Sequence, residues 1–436
     1  FVSGVAIVVA MPVVGLRSQR TIKRLAAGAI LLLFLGGALL LFQSRERPLD
    51  GAGEAWANLL PGRRVEGGYV TSQSCRKCHE DQFTSWHRSY HRTMTQAVSP
   101  ETVVAPFDDV EVELQGRTYH LTRRGDEFWA NMPDPIWYLA SQAPESERPK
   151  GLPDKAPQVD RRIVMSTGSH HMQLYWVLDP ATQQLVNIPL IYLIDEKRWV
   201  PRADVFLEGK SEPYESRLNI QAWNKVCVAC HSVAGQPRLE LADGQPDTRV
   251  VELGIACEAC HGPGEEHVKK HEGLDYRPGL AGTEKKSSGD PTIVNPARCD
   301  AQTSAQICGR CHSVHSVVDH ESYWNEVGDT FRPGQNLHDS RLVVRDPRQI
   351  ALEEGADPEA AKATHALQSP DMLRHFFWPD GIARVAGREY NGLLETACHQ
   401  RGDMSCVSCH SLHDGAPDDQ LAAGMRGNQA CYQCHA

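Results

Sequence analysis

Aromatic residues supply only 7% of this 436-residue chain. That leaves little side-chain material for the two or three ordinary cores its length would call for. Beyond residue 45 no apolar run is long enough to span a bilayer. Positive charge is not in excess either: 45 Lys and Arg face 55 Asp and Glu, for a net −10. That balance excludes nucleic acid as the expected partner. No repeat of fixed period runs through the chain, and there is no βαβ context that would place a thioredoxin-like site.

Cysteine and histidine are plentiful, at 14 and 20 residues. Twelve cysteines fall into six copies of Cys-x-x-Cys-His. These are Cys75-Arg-Lys-Cys78-His79, Cys227-Val-Ala-Cys230-His231, Cys257-Glu-Ala-Cys260-His261, Cys308-Gly-Arg-Cys311-His312, Cys406-Val-Ser-Cys409-His410 and Cys431-Tyr-Gln-Cys434-His435. Composition alone would produce roughly 0.02 such matches. A zinc ribbon has no use for a histidine after every pair, and a disulfide framework does not need one at a fixed place. The spacing is that of covalent haem c attachment. Two thiols bond the porphyrin vinyl groups as thioethers, and the adjacent histidine lies under the iron as axial ligand. Six covalent haems c are expected, their apolar plates forming much of the core. Cys299 and Cys398 are left over; they can pair as a disulfide in an oxidising compartment or stay free thiols.

Fourteen histidines remain after the six motif ligands. A low-spin haem takes a sixth ligand, and a second imidazole is a common choice. The candidates are His91 in "SWHRSYHRTM", His171 in "GSHHMQLYW", His267 in "GPGEEHV" and His413 in "CHSLH". Weaker candidates are His170, His315, His320, His365, His375 and His399. Any lone histidine can equally be an ordinary hydrogen-bonding residue. Arg76, Lys77 and Arg310 can pair with haem propionates or simply face solvent.

Leu25 to Phe42 is 18 uncharged, mostly apolar residues, with Arg17, Arg20, Lys23 and Arg24 before it. It reads as one N-terminal transmembrane helix with the N-terminus in the cytoplasm and the haem region in the periplasm. A cleaved signal peptide is the competing reading, but the A-x-A-like Ala55-Trp56-Ala57 lies far from the apolar stretch. Residues 1–45 are thus read as an N-terminal segment and anchor at the cytoplasmic membrane. Residues 46–104 are a linker and the first haem segment. Residues 105–222 form a β-rich, haem-free insert, since "VEVELQGRTYHLTRRGDEFWANM" and "HMQLYWVLDPATQQLVNIPLIYLI" alternate around turn residues. Residues 223–436 are a region packed around haems two to six. "DPEAAKATHALQ" (357–368) reads as a short helix. The expected fold class is mainly α, with extensive irregular coil wrapped around stacked haems, plus a small antiparallel β subdomain.

The stretches "SCRKCHEDQFTSWHRSYH", "CVACHS", "GIACEACHGPGEEHV", "CGRCHS" and "MSCVSCHSLH" resemble the multihaem cytochromes c related to the tetrahaem electron acceptor of hydroxylamine oxidoreductase, including membrane-anchored members. The resemblance covers most of residues 70–436. It implies tight haem packing, bis-histidine ligation and electron transfer, with His91, His171, His267 and His413 at distal-ligand positions. Nitrite and tetrathionate reductases of related type carry a haem motif in which lysine replaces the histidine, whereas every motif here ends in histidine. No catalytic residue is therefore assigned. The expected role is a hexahaem carrier of electrons between a membrane quinol oxidoreductase and a soluble or complex-bound acceptor, such as another cytochrome. One alternative is an oxidoreductase acting on a small nitrogen or sulfur oxyanion at one open-site haem. Another is an electron-transfer subunit of a larger respiratory or photosynthetic complex or filament.

Overall fold

The computed structural model describes residues 60–64, 66–205, 219–240, 246–272, 289–345, 376–413 and 420–435. Its largest element is an antiparallel sheet of eight strands. We number them β1 (Thr95–Ala97), β2 (Val110–Leu114), β3 (Arg117–Arg124), β4 (Glu127–Pro133), β5 (Gln158–Thr167), β6 (Met172–Leu178), β7 (Leu185–Leu193) and β8 (Arg198–Pro201). Strands β2 to β8 pair in sequence order, and β1 adds to β5. Leu114 pairs with Arg117 across a two-residue turn in which Gln115 and Gly116 both have positive φ, 53° and 68°. That backbone twist matches the strands it joins. Register shifts near Met165 and Tyr175 bend β5 to β7. The sheet curls until β2 and β8 stand near one another, giving a nearly closed, barrel-like shape.

The interior of the curl is aromatic. Phe107 meets Phe128, Tyr175 and Trp199 edge to face at 5.3, 5.2 and 5.7 Å between ring centres, the arrangement ring quadrupoles favour. The other side of β5 to β8 is apolar too. Val164, Met165, Leu174, Trp176, Leu185, Ile191 and Val200 bury themselves against Trp223, Val228 and Val250. Strand β7 is buried at eight of its nine residues because both of its faces are covered. The outer face is what positions the haem region: Cys227 of the second motif packs into that same cluster.

The motif-bearing parts are held by short helices. Among the described residues the longest helix is Ala301–His312, 12 residues. It starts at Asp300, whose carboxylate accepts from the Thr303 amide at 2.8 Å, and carries the fourth motif at its end. Motif three lies on the five-residue helix Cys257–His261, whereas motif one starts at the end of Ser72–Arg76 and ends with His79 at the N-cap of Glu80–Trp86.

Two expectations are corrected. The architecture is not mainly α, because residues 95–201 form a large sheet with two covered faces rather than a small subdomain. Nor is a membrane anchor supported, since among the described residues no helix is long and apolar enough to cross a membrane. The segment read as an anchor, residues 25–42, lies outside the described residues, as do the short helix read at 357–368, His365 and His375. The single-pass arrangement, membrane attachment through an N-terminal helix and the placement at the cytoplasmic membrane are withdrawn on this finding.

Candidate haem centres

Three motif histidines face a second histidine from elsewhere in the chain. His79 and His267 have ring centres 6.2 Å apart and planes 22° from parallel. His261 and His413 show the same 6.2 Å and 22°. His312 and His91 stand 6.0 Å apart at 45°. These separations are too long for direct stacking. Two imidazoles bound through Nε2 to opposite faces of one metal, at about 2.0 Å each and with about 1.15 Å from nitrogen to ring centre, lie about 6.3 Å apart. The gaps therefore fit one iron each.

In four of the six rings the nitrogen facing away is hydrogen-bonded, which fixes tautomer and orientation and leaves Nε2 for a metal. His261 Nδ1 donates to the Val294 carbonyl at 2.7 Å. His267 Nδ1 donates to Asp290 Oδ2 at 3.1 Å. His312 Nδ1 donates to Glu389 Oε2 at 2.9 Å, and His91 Nδ1 to the Gln420 amide oxygen. The bond from His312, opposed by burial, holds the Glu389 carboxyl at about 2. Asp290 is also held far below its usual range, first by the Thr292 hydroxyl and then by His271 and Lys270.

His267, His271 and Asp290 are close enough to suggest a separate metal site, their ligand atoms lying within 4.8 Å of one another. The ammonium of Lys270 stands 2.9 Å from Asp290 Oδ1, and the Thr292 hydroxyl 2.6 Å from the same oxygen. Asp290 is thus already occupied as an acceptor, beside a positive charge, and its place is to orient His267.

The motifs also meet one another. The segment Ser72–Arg76 packs on Cys257–His261, the Cys311 thiol points to the Cys230 carbonyl at 4.0 Å, and Ala301–His312 packs on Cys406–Ser408. The sixth motif, residues 431–435, is exposed. His231 is pushed down to about 4, first by burial and then by Arg388. Among the described residues, no ring pair like the three above is formed by His231, His410 or His435.

His171 is not brought to a motif histidine. Its side chain is 70% exposed, stacks on His170 at 3.7 Å and reaches toward Asp195. His170 stacks in turn on Tyr90. His315 hydrogen-bonds Ser313, and His399 donates to the Met404 carbonyl. His320 is exposed. Arg310, a candidate propionate partner, is instead buried on Asp329, and Arg76 pairs with Glu80. Cys299 and Cys398 are free thiols. Sequence reading missed Asp290, Glu389 and Gln420 altogether. Nothing local distinguishes them, and Gln420 meets His91 from 329 residues away.

Motif, ring spacing and oriented imidazoles define a protein that binds haem covalently at several sites. Comparison with known proteins agrees. A family profile described as Cytochrome c554 and c-prime matches residues 74–118 and 207–262, and one described as Doubled CXXCH motif matches 399–436. The Multiheme cytochrome MtrA of Shewanella baltica is 22% identical over 217 residues, which make up 48% of this chain and 52% of MtrA. The chain thus spans about half the length of that curated relative. Among solved structures, the Outer Cell Wall Cytochrome OcwA aligns over 85% of this chain and 68% of its own, at 16% identity and a TM-score of 0.48. The undecahaem cytochrome from the S-layer of Carboxydothermus ferrireducens aligns over 86% and 44%, at 16% identity and a TM-score of 0.33. The chain is a multihaem c-type cytochrome, with haem c attached through its Cys-x-x-Cys-His motifs.

Proposed function

We propose that the chain is a hexahaem electron carrier, each of its six motifs holding one haem c. The cysteine pairs 75/78, 227/230, 257/260, 308/311, 406/409 and 431/434 would attach the haems. His79, His231, His261, His312, His410 and His435 would be the proximal ligands. His267, His413 and His91 would be the sixth ligands to the irons at His79, His261 and His312. The observation that carries this reading is the trio of imidazole pairs at 6.0 to 6.2 Å. Bound haem supplies a one-electron ferric–ferrous couple whose potential follows ligand, burial and nearby charge. The chain's own residues fix the imidazoles through Val294, Asp290, Glu389 and Gln420, and exclude water from the buried motifs. Electrons would pass one at a time between a donor and an acceptor redox protein. The first three motifs would follow the plan of the tetrahaem acceptor of hydroxylamine oxidoreductase; the Cytochrome c554 profile, which spans those motifs, supports this.

A second reading is an oxidoreductase with one open iron that takes a small nitrogen or sulfur oxyanion. It is favoured at His231, which is buried beside Arg388 with no opposed ring at the same spacing among the described residues. Three measurements decide: intact mass with a haem assay, low-temperature EPR of the oxidised protein, and carbon monoxide binding after reduction. Six haems, all low-spin and blind to carbon monoxide, support the carrier. A high-spin haem that binds carbon monoxide supports the second reading, and fewer than six haems would overturn the count.

A further inference from the structure

The inter-motif contacts are unevenly distributed. Motif four meets three other motifs. Its Cys311 thiol points to the Cys230 carbonyl of motif two at 4.0 Å. Its helix, Ala301–His312, packs on the turn Cys406–Ser408 of motif five. Cys260 of motif three and Cys406 of motif five both pack on the apolar cluster of Ala305, Ile307, Phe331, Leu337, Val343 and Tyr390 that the motif-four helix organises. Motif one, by contrast, meets motif three, where Ser72–Arg76 packs on Cys257–His261.

The residues inside motif four are specialised for this crowding. Arg310 donates its Nη2 to the carbonyl of Ala229, inside motif two, at 3.2 Å. Its Nε pairs with Asp329, whose other oxygen takes Arg341 at 2.8 Å; all three side chains are buried. Asp329 in turn donates its amide to the Gly235 carbonyl, four residues beyond the end of motif two. Arg388 donates to the Cys311 carbonyl at 2.7 Å. Gly309 leaves room for the Tyr390 ring, which a Cβ there would meet at 2.8 Å.

We infer that motif four is the hub of the assembly: Cys308, Cys311 and the Arg310–Asp329–Arg341 cluster hold its haem against those of motifs two, three and five at once, so that the haems form a branched set rather than a single file. This rests on the reading of the motifs as haem sites and of His91 as the sixth ligand at His312.

The test is magnetic. Neighbouring ferric low-spin haems broaden one another's EPR signals, and a reduced low-spin haem is diamagnetic and stops doing so. His91→Met, made in the full chain, places a thioether on the motif-four iron and raises its potential above the rest. Poised with dithionite so that this haem alone is reduced, the variant should show sharpening at three of the remaining signals and none at the others. Sharpening at two or fewer overturns the hub and leaves a single file. If His91→Met changes no haem's ligation while intact mass still shows six haems, the ligand assignment is wrong, and the hub falls with it. If His91→Met does not accumulate, Glu389→Gln keeps both axial histidines, shifts the same haem's reduction step, and must perturb the same three neighbours.

Discussion

Replacing Glu389 by Gln tests how the chain sets the potential of the motif-four haem. Glu389 Oε2 accepts from His312 Nδ1 at 2.9 Å. A carboxylate there pulls the imidazole toward imidazolate and stabilises the ferric state; an amide keeps the hydrogen bond and removes the charge. With iron on the far ring nitrogen, the carboxylate stands about 7 Å from it, where a unit charge is worth about 2.4 kcal/mol at an effective dielectric near 20. The Glu389 side chain is 68% exposed, so solvent and salt reduce this to about 1 kcal/mol. On a one-electron couple that is about 40 mV. E389Q should therefore raise one haem's midpoint by about 40 mV, less at high salt, with the low-spin spectrum kept. Spectroelectrochemical titration with EPR at each poise reads this. An unchanged or lowered midpoint with intact ligation would refute the reasoning.

Other outcomes follow from the buried supports of the same motif. Asp329→Asn leaves Arg310 and Arg341 buried without a counter-charge and should cost about 3–5 kcal/mol in chemical denaturation. In the parent protein, burial alone would push the Asp329 carboxyl up, but Arg310 and Arg341 hold it below its usual value. Its folded value being the lower one, this cluster's stabilisation is present above the ordinary carboxylate range and is lost only as pH falls through the depressed value. Acid titration of the Asp329→Asn protein should lack that component. Gly309→Ala drives a methyl into the Tyr390 ring at 2.8 Å, for a loss of about 1–3 kcal/mol and poorer haem loading at motif four by intact mass.

The motifs were fully legible because haem attachment is written in five consecutive residues. The opposed rings were not, since each pair joins distant chain segments: His79 with His267, His261 with His413, His91 with His312. Sequence context singled out these three distal candidates, but only packing assigns each to a motif. His171 had equally suggestive neighbours and lies on the surface. Strands are legible over 105–222 but read as a minor part of a mainly α fold, whereas they form an eight-stranded sheet over 95–201. In β7, "LVNIPLIYL", both faces are covered, a burial that a strand pattern read from sequence does not by itself reveal. Asp290 and Glu389 read as ordinary surface acids until the fold sets them behind His267 and His312.

The pairing of imidazoles is the centre of the account, and single alanine variants of His267, His413 and His91 test it most directly. Each should convert one low-spin haem, and a different one each time, into a high-spin centre that binds carbon monoxide on reduction, with the haem count by intact mass unchanged. Low-spin spectra that survive all three substitutions would contradict it.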